Sequence, residues 1–280
     1  MIRAFHQPTA VPAALALVAR GGTPAAGATA LYTSKATRDL TLVDITRLGL
    51  GGTSVSKSRI VLGATVTMTG LCDAGDLPGM PGALLRRAAR ALGSRALRNV
   101  ITVGGNVAHV AYWADMPVAL VALDAEVEVR KARAAARWLP VAEALAARVP
   151  PWRGGLLTRV RVPVGRGTYG FGYERFARTS NDYALATVCA VARRDRDVLR
   201  DVRLVVGAIS ARPWRAVAAE ALLEGFEPTP ERLAAAAALT AEQARIAPNF
   251  RSDAGYRRKL IGVLARRALE STVTWALRED

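Results

Sequence analysis

Apolar and polar residues recur along the chain at two spacings, which predict helices in some segments and strands in others. Helical spacing predicts a short helix over residues 11–20 and another around residues 84–92, and glycines follow both segments. Alternating or continuously apolar runs predict strands at residues 41–45, 59–66, 124–130, 158–163, 183–192 and 202–209. Near the end, the pattern predicts helices over residues 214–224, from Thr229-Pro230 onward, and over about 253–278.

The order of these elements predicts an α+β protein with two domains. The first part mixes strands and helices, whereas the last part has a few antiparallel strands followed by helices. The strongest break in the pattern is the segment P-P-W-R-G-G-L at residues 150–156. We place the domain change near residue 165, which gives domains over residues 1–165 and 166–280. The first domain has subdomains of about 1–55 and 56–165.

Two loops of small residues stand out. The run N-V-I-T-V at residues 99–103 is typical of a strand, and it ends on Gly104 and Gly105. Adjacent glycines at that position indicate either a turn or the close approach of a ligand to the backbone. The other loop, which comes first along the chain, reads A-A-G-A-T-A-L-Y at residues 25–32. Both loops can present N–H groups to phosphate oxygens, although neither matches the Walker or dinucleotide-binding glycine patterns.

Few polar residues are candidates for catalysis. Asp115 lies in the apolar segment Y-W-A-D-M-P, where it suits a helix N-cap, a functional carboxylate that accepts N–H donors from a cofactor ring, or both. The two histidines, His6 and His109, belong to no metalloprotease or serine-hydrolase motif. If the protein is an enzyme, an organic cofactor is therefore expected to supply the chemistry.

The composition is strongly basic, and it provides too few cysteines for an iron–sulfur cluster in this chain. The formal net charge is +16, and residues 77–114 contain five arginines and no acid. Such a charge can attract nucleic acid, an anionic cofactor or an acidic partner protein. A genome whose codon usage favours arginine explains the charge equally well. The two cysteines, Cys72 and Cys189, cannot supply four thiolate ligands. With no signal-peptide pattern and no membrane-spanning run, we expect a cytoplasmic protein.

Taken together, the motifs resemble the FAD-binding medium subunit of molybdenum-containing hydroxylases, the xanthine dehydrogenase and carbon monoxide dehydrogenase group. The resemblance rests on A-G-A-T-A-L-Y, L-V-D-I, R-N-V-I-T-V-G-G-N-V-A-H and A-D-M-P, in that order. It continues through G-Y-E-R-F-A-R-T-S-N-D-Y-A-L-A-T-V, V-V-G-A-I-S-A-R-P and D-A-G-Y-R-R-K-L-I-G-V-L-A-R-R-A-L, and so covers almost the whole chain.

The resemblance implies an FAD-binding domain of the vanillyl-alcohol-oxidase-like type with two subdomains. A C-terminal domain of three antiparallel strands and a helical bundle would follow. It also implies which residues contact FAD. The first pyrophosphate loop would be Ala26, Gly27, Ala28, Thr29, Ala30 and Leu31, and the second Thr102, Val103, Gly104, Gly105 and Asn106. Further contacts would be His109, Asp115, Leu156 or Leu157, Tyr173 and Glu174.

The chain departs from the family at three of these positions. Ala28 replaces a glycine of the usual first loop and Ala30 replaces an acidic residue; alanine is tolerated at position 28 only if its φ stays negative, in which case the loop differs slightly in shape. Glu174 stands where a lysine is often found near the flavin, which puts NAD⁺ reduction in doubt.

The function implied is electron transfer within a larger complex. Electrons would pass from [2Fe–2S] clusters in a small partner subunit through FAD to an external acceptor, and a large molybdopterin-binding subunit would hydroxylate the substrate. Three chains would form a heterotrimer that dimerises to a heterohexamer, with Arg86, Arg87 and Arg90 docking an acidic partner. The residues leave two alternatives open. One is a stand-alone flavin-dependent oxidoreductase acting on a small organic substrate, with His109 as its base. The other is a basic nucleic-acid-binding protein, which would carry no flavin.

Overall fold

The computed structural model describes residues 2–33, 40–109, 111–248 and 252–276. Its strands are β1 (Ile2–His6), β2 (Thr23–Ala25), β3 (Leu40–Asp44), β4 (Thr53–Val55), β5 (Arg59–Gly63), β6 (Glu126–Lys131), β7 (Arg137–Pro140), β8 (Gly155–Pro163), β9 (Tyr169–Phe176), β10 (Ala186–Asp195), β11 (Val198–Gly207) and β12 (Trp214–Arg215). Its helices are α1 (Val11–Ala19), α2 (Thr29–Thr33), α3 (Met68–Asp73), α4 (Gly79–Arg90), α5 (Arg95–Val100), α6 (Val103–Ala108), α7 (Met116–Ala122), α8 (Val141–Ala146), α9 (Val217–Ala221), α10 (Pro230–Gln243) and α11 (Ala254–Ala276).

The described chain groups into two compact units that interleave along the sequence. Residues 1–75, 94–110 and 124–163 form the first unit, and residues 76–93, 111–123 and 164–280 form the second. Two segments of the predicted first domain, 76–93 and 111–123, thus group with the second unit. A division into separate domains near residue 165 stays a prediction.

The first unit contains two sheets. A parallel three-stranded sheet has the order β1-β3-β2, and an antiparallel five-stranded sheet has the order β4-β5-β8-β6-β7. Helix α1 packs against β3 and β8. Their contact forms a buried cluster made of Ala14, Leu15, Val18, Val43, Ile45, Leu48, Leu50 and Leu156. Ala26, in the loop that joins β2 to α2, packs against this cluster.

The second unit is an antiparallel sheet covered by helices. Its strand order is β12-β11-β10-β9, and α11 packs against β9 and β10. Gly170 and Gly172 make that packing possible, since a Cβ on either would overlap the carbonyl oxygen of Thr272 or Ala268. Helices α4 and α7 pack against strands of the same sheet, and α7 lies so close to Gly207 that a side chain there would overlap Val118.

The predicted α+β class and most predicted elements are confirmed. Helices α1, α4, α10 and α11 and strands β3, β6, β8, β10 and β11 lie within a few residues of the predicted ranges. Strand β5 ends at Gly63 rather than at residue 66. Positions 277 and 278 of the last predicted helix lie outside the described residues.

Two predicted elements are wrong. Residues 99–103 are not a strand: they end α5, pass through Ile101 and Thr102, and begin α6. Ser94 and Thr102 explain this, because their hydroxyls accept hydrogen bonds from the N–H groups of Leu97 and Gly105 and so cap the two helices. The predicted helix over 214–224 begins as β12, which adds a fourth, two-residue strand to the predicted three, and only Val217–Ala221 is helical.

Candidate functional site

The first small-residue loop lies directly against the chain before the second. A Cβ on Gly27 would overlap the carbonyl oxygen of Val100. Glycine at this position therefore lets residues 26–28 touch the end of α5, one residue before the second loop begins. Ala26 packs on the buried cluster that contains Leu156. The structure thus brings together the two loops that the sequence proposed as cofactor contacts.

Ala28 adopts a left-handed backbone conformation. Its φ is +53°, so the condition of a negative φ, under which alanine fits this loop without strain, is not met. The region is sterically unfavourable for residues that carry a Cβ, whereas glycine enters it readily. The chain therefore keeps the backbone shape of a glycine at this position although alanine occupies it. Thr29, Ala30 and Leu31 follow in the first turn of α2, and all three are half-buried.

The second loop is the capped start of α6, and its amides have partners within the chain. The N–H groups of Val103 and Gly104 donate to the carbonyl oxygens of Val66 and Ala64, at 2.8 and 2.9 Å. The N–H group of Gly105 donates to the Thr102 hydroxyl at 3.1 Å. The interpretation that the amides of both glycines are reserved for phosphate oxygens is therefore not supported by this geometry.

Gly104 and Gly105 are glycines for different physical reasons. A Cβ on Gly104 would lie 2.6 Å from the Ala64 Cβ and 2.8 Å from its carbonyl oxygen, so this residue is required by the fold. A Cβ on Gly105 would meet only the Thr102 hydroxyl, at 2.8 Å, and Gly105 is exposed. Only the second glycine leaves an open surface beside the loop.

Asn106 supplies the most informative atom of the loop. Its side-chain oxygen Oδ1 is buried and has no hydrogen-bond partner among the described residues. An unsatisfied buried acceptor costs about 1–3 kcal/mol, so native proteins rarely leave one without a partner. His109, at the other end of α6, is exposed, and its backbone N–H donates to the Gly105 carbonyl oxygen at 3.1 Å.

Asp115 lies in the second unit and is surrounded by donors from the sheet. The side chain is 3% exposed and does not cap α7. It accepts hydrogen bonds from the Tyr173 hydroxyl at 3.0 Å, from Arg175 Nε at 3.2 Å to both oxygens, and from the Thr187 hydroxyl at 3.3 Å. Burial raises the pKa of Asp115, and the Arg175 charge and these hydrogen bonds oppose that rise. The side chain thus forms a buried ion pair in place of a helix cap, and direct contact of Asp115 with a cofactor stays a prediction.

The sequence analysis missed Arg175 and Thr187. Tyr173 and Arg175 are two residues apart on β9 and so share a face, and Arg175 pairs with Thr187 across to β10. The alternation of side chains along a strand predicts that Tyr173 and Arg175 share a face. Nothing in the sequence indicates that Asp115, immediately before α7, lies against that face. Burial and Asp115 raise the pKa of Tyr173 well above its ordinary value, so Tyr173 stays a hydroxyl donor.

The remaining predicted contacts lie in ordinary packing positions. Leu156 and Leu157 are buried on β8 in the first unit, with 1% and 6% of their surface exposed. Glu174 is half-buried on β9, opposite Val188 of β10. Direct contact of these three residues with a cofactor stays a prediction.

The residues of the first unit fit an extended polar ligand such as FAD. The first loop lies against Val100, just before the second loop, and the exposed Gly105 leaves room beside it. The buried Oδ1 of Asn106 lacks, among the described residues, a donor that ribityl or ribose hydroxyls can supply. Among the described residues, no three metal-ligating side chains come together. Within the same residues, no helix is long and apolar enough to cross a membrane.

The fold is of the α+β class, and the family models that it matches describe FAD-binding proteins. Residues 1–165 match the family described as the FAD-binding domain in molybdopterin dehydrogenase, and residues 171–272 match the CO dehydrogenase flavoprotein C-terminal domain. The chain therefore belongs to the FAD-binding medium subunits of the molybdenum hydroxylase family, and it is an oxidoreductase subunit whose cofactor is FAD.

Individual relatives agree over most of the chain. The carbon monoxide dehydrogenase medium chain of Afipia carboxidovorans is 29% identical, over 95% of each chain. The glyceraldehyde dehydrogenase medium chain of Sulfolobus acidocaldarius is 27% identical, over 82% of each. Among solved structures, a carbon monoxide dehydrogenase from Hydrogenophaga pseudoflava that lacks the Mo-pyranopterin moiety of its molybdenum cofactor matches with a TM-score of 0.90. It is 25% identical and covers 98% of each chain.

Proposed function

We propose that this chain is the electron-exit subunit of a cytoplasmic molybdenum hydroxylase complex. In this proposal, FAD lies on the route from [2Fe–2S] clusters in a small partner subunit to an external acceptor. A large molybdopterin-binding partner completes a heterotrimer, which dimerises to a heterohexamer. FAD, when bound, supplies redox chemistry that accepts and releases electrons. The protein's own task is to hold it and to limit access to it.

Partner chains are needed because this chain lacks the ligands for a cluster. It has two cysteines, whereas a [2Fe–2S] cluster of the ferredoxin type takes four thiolates. Cys189 is moreover fully buried in the sheet of the second unit. Relatives carry the names "medium chain" and "dehydrogenase complex subunit alpha", which supports a place in a multi-chain enzyme.

We assign the cofactor contacts of the first unit to Ala26–Leu31 and Thr102–Asn106, with His109 at the far end of α6. The observation that carries this assignment is the buried Oδ1 of Asn106, which lacks a partner among the described residues. It lies on α6, and Val100, at the end of the preceding helix α5, lies against Gly27. A ligand hydroxyl that donates to Oδ1 would satisfy the acceptor and fix the ligand beside the exposed Gly105.

Asn106→Ala tests this assignment. Without ligand, the variant loses an unsatisfied acceptor, so the free energy of unfolding of the FAD-free protein should be unchanged or higher. With FAD, it should lose about 1–3 kcal/mol of binding free energy, which is roughly five- to 150-fold in Kd. Equilibrium dialysis and the flavin absorbance near about 450 nm measure this loss. Unchanged FAD affinity would contradict the assignment.

Asn99→Ala is the matched control. Asn99 lies on α5 of the same unit, is exposed, and its Oδ1 accepts a hydrogen bond from the Thr69 hydroxyl at 2.6 Å. Because that hydrogen bond is internal, the control should lower the stability of the FAD-free protein slightly and leave FAD affinity unchanged. The two asparagines are thus expected to give opposite patterns.

The glycines provide a second comparison. Gly105→Ala displaces only the Thr102 hydroxyl, so the protein should fold and bind FAD more weakly. Gly104→Ala places a Cβ against the Ala64 backbone and should lower stability before any effect on FAD. If the Gly105→Ala protein keeps its full FAD content, the open surface beside Gly105 is not part of the FAD site.

The place in a complex needs a separate experiment. Affinity purification of the chain from its natural cells, followed by native mass spectrometry, should recover a large chain with molybdopterin and a small chain with iron and sulfide. If the flavin-loaded chain is recovered alone at low and moderate salt, the electron-exit proposal is wrong. The proposed FAD site would still stand in that case.

A further inference from the structure

The carboxylate of Asp44 lies at the carboxyl end of the central strand of the parallel sheet in the first unit. Strand β3 lies between β1 and β2, and Asp44 is its last residue. The residue is 8% exposed. In open α/β sheets with parallel strands, ligands bind beyond the carboxyl ends of the strands. The partners of a buried carboxylate at that edge therefore bear on how the ligand site is built.

Asp44 holds two segments of the chain, one with each oxygen. Its Oδ1 accepts a hydrogen bond from the N–H group of Thr46 at 2.9 Å, which closes an Asx turn directly after β3. Its Oδ2 accepts a hydrogen bond from Gln7 Nε2 at 2.8 Å, and Gln7 directly follows β1. Burial opposes the charge of Asp44, but these hydrogen bonds and the charge of Arg47 outweigh it and hold the pKa of Asp44 below its ordinary value. Asp44 is therefore a carboxylate at neutral pH.

The turn that Asp44 closes lies against the start of the first small-residue loop. Ala25, the last residue of β2, is the register partner of Asp44, and its carbonyl oxygen accepts a hydrogen bond from the N–H group of Ile45 at 2.9 Å. Ile45 also belongs to the buried cluster against which Ala26 packs. The direction in which the chain leaves β2 and enters residues 26–31 thus depends on a turn that Asp44 keeps in place.

We infer that Asp44 is a positioning residue for the first loop, which it fixes through Ile45 and the end of β2 without touching FAD itself. This inference rests on the proposed function, because residues 26–31 are the ones assigned to the cofactor there. Gln7 completes the arrangement, since it ties the neighbouring strand β1 to the same carboxylate. Asp44 supplies two acceptor positions and not a useful charge, because a negative charge near a pyrophosphate opposes its binding.

Two substitutions remove the acceptor or one of its donors. Asp44→Ala leaves the Thr46 N–H group and the Gln7 amide without their acceptor, so the FAD affinity of the chain should fall by at least about fivefold. Gln7→Ala removes only the link to β1. Because Gln7 is exposed, this variant should fold normally and lose FAD affinity by a smaller factor. Equilibrium dialysis of FAD against the FAD-free chain, below the thermal transition of every variant, measures both losses.

Two further variants separate geometry from charge. In Asp44→Asn, the amide oxygen still accepts from Thr46, and the Gln7 amide turns over to accept from the new amide nitrogen. FAD affinity should therefore stay within about twofold of the wild type. Gln7→Glu alone places two carboxylates together and should weaken FAD binding. The double variant Asp44→Asn/Gln7→Glu exchanges donor and acceptor, and it should recover most of that loss. If Asp44→Ala does not fold, Gln7→Ala and this exchange give the same test.

Glu128→Ala is the matched control for stability. Glu128 is another buried acid of the first unit, 4% exposed, and it accepts hydrogen bonds from the Thr158 hydroxyl at 2.5 Å and from Arg130 Nε at 3.2 Å. These partners belong to β8 and β6 of the antiparallel sheet. The control should lower Tm at least as much as Asp44→Ala, because it also leaves buried donors without an acceptor, and it should leave FAD affinity unchanged.

The possible results lead to different conclusions. A loss of FAD affinity in Asp44→Ala that Asp44→Asn does not share, with Glu128→Ala unaffected, supports the positioning role. If Asp44→Ala keeps wild-type affinity, or if Asp44→Asn or Glu128→Ala loses as much as Asp44→Ala, the positioning role is wrong. Asn106→Ala tells this failure from a failure of the assigned site. If only Asn106→Ala loses affinity, the assigned site stands without the positioning role. If Asp44→Ala loses affinity and Asn106→Ala does not, the contact assigned to Asn106 is wrong and positioning of the first loop stands.

Discussion

Ala28→Gly should stabilise the protein, although glycine usually destabilises. Ala28 has a φ of +53° and its side chain is exposed. A residue with a Cβ pays about 1–2 kcal/mol in this region relative to the right-handed one. Glycine removes that cost, and because the side chain is exposed, no buried apolar surface is lost with the methyl group.

The net effect is smaller than the strain alone. Glycine gains more conformational entropy in the unfolded chain, which offsets about 0.4–1 kcal/mol. The difference leaves a stabilisation of roughly 0.5–1 kcal/mol. For a protein of this size, that corresponds to a rise in Tm of about 1–4 °C. Urea denaturation of the FAD-free protein measures the same quantity without interference from ligand binding.

Ala30→Gly is the control for this prediction. Ala30 lies two residues further on, within helix α2. Glycine inside a helix is less stable than alanine by about 0.5–1 kcal/mol, so the two substitutions should have opposite signs. The FAD content of Ala28→Gly should equal or exceed that of the wild type, because the loop keeps its shape. If both variants lose stability equally, the loop is not left-handed at Ala28 and the reasoning is refuted.

Three further predictions concern the rest of the chain. Cys189 is fully buried and burial raises the pKa of its thiol, so Ellman's reagent should modify it only after denaturation, which thiol counting with and without denaturant will check. Arg86 and Arg87 donate to the carbonyl oxygens of Leu77 and Tyr173, and Arg90 is exposed on α4. Arg90→Glu should weaken recovery of acidic partner chains at low salt, and Arg86→Gln should lower Tm. The hydrogen bond from Arg161 holds the pKa of Glu126 below its ordinary value. Glu126→Gln should thus cost under about 1 kcal/mol at neutral pH, and titration of stability should show that difference vanish as the pH falls through the lowered pKa of Glu126 in the folded protein.

The sign of the Glu126 effect follows from linkage. Because its pKa is lower in the folded protein than in the unfolded chain, the carboxylate stabilises the fold above the unfolded pKa. The contribution is lost as the pH falls through the folded pKa, where the glutamate becomes protonated. A glutamine variant has no proton to bind there, so a stability difference that persists in acid would point to packing instead of charge.

Local signals predicted the elements whose boundaries depend on nearby residues. Thr229 and Pro230 begin α10, and the Thr229 hydroxyl accepts a hydrogen bond from the N–H group of Arg232. The same signals were misread at residues 99–103, where β-branched residues favoured a strand. The capping hydroxyls of Ser94 and Thr102 and the need for Gly104 to touch Ala64 decide that segment. The contact between Gly104 and Ala64 joins residues that are 40 positions apart, so no short segment of the sequence contains both.

Long-range pairing explains the other failures. Trp214 reads as the start of a helix, but it pairs with Val206 at the edge of the sheet, and the helix begins only after that strand ends. Asp115 reads as a cap, but its partner Arg175 is 60 residues further along the chain. In both cases the local pattern allowed two structures, and a contact with the antiparallel sheet selected one of them.

The loops show that residues required by the fold can be separated from residues available to the cofactor. Gly27 and Gly104 touch the backbone of their own chain, so any side chain there acts on folding first. Gly105 and Asn106 make no such demand: one is exposed and the other has a buried oxygen without a partner in the described structure. Because the amides of residues 103–105 already donate within the protein, the second loop can contribute to binding mainly through shape and this oxygen. Specificity for FAD in the first unit should therefore depend on the positions where the fold is least constrained.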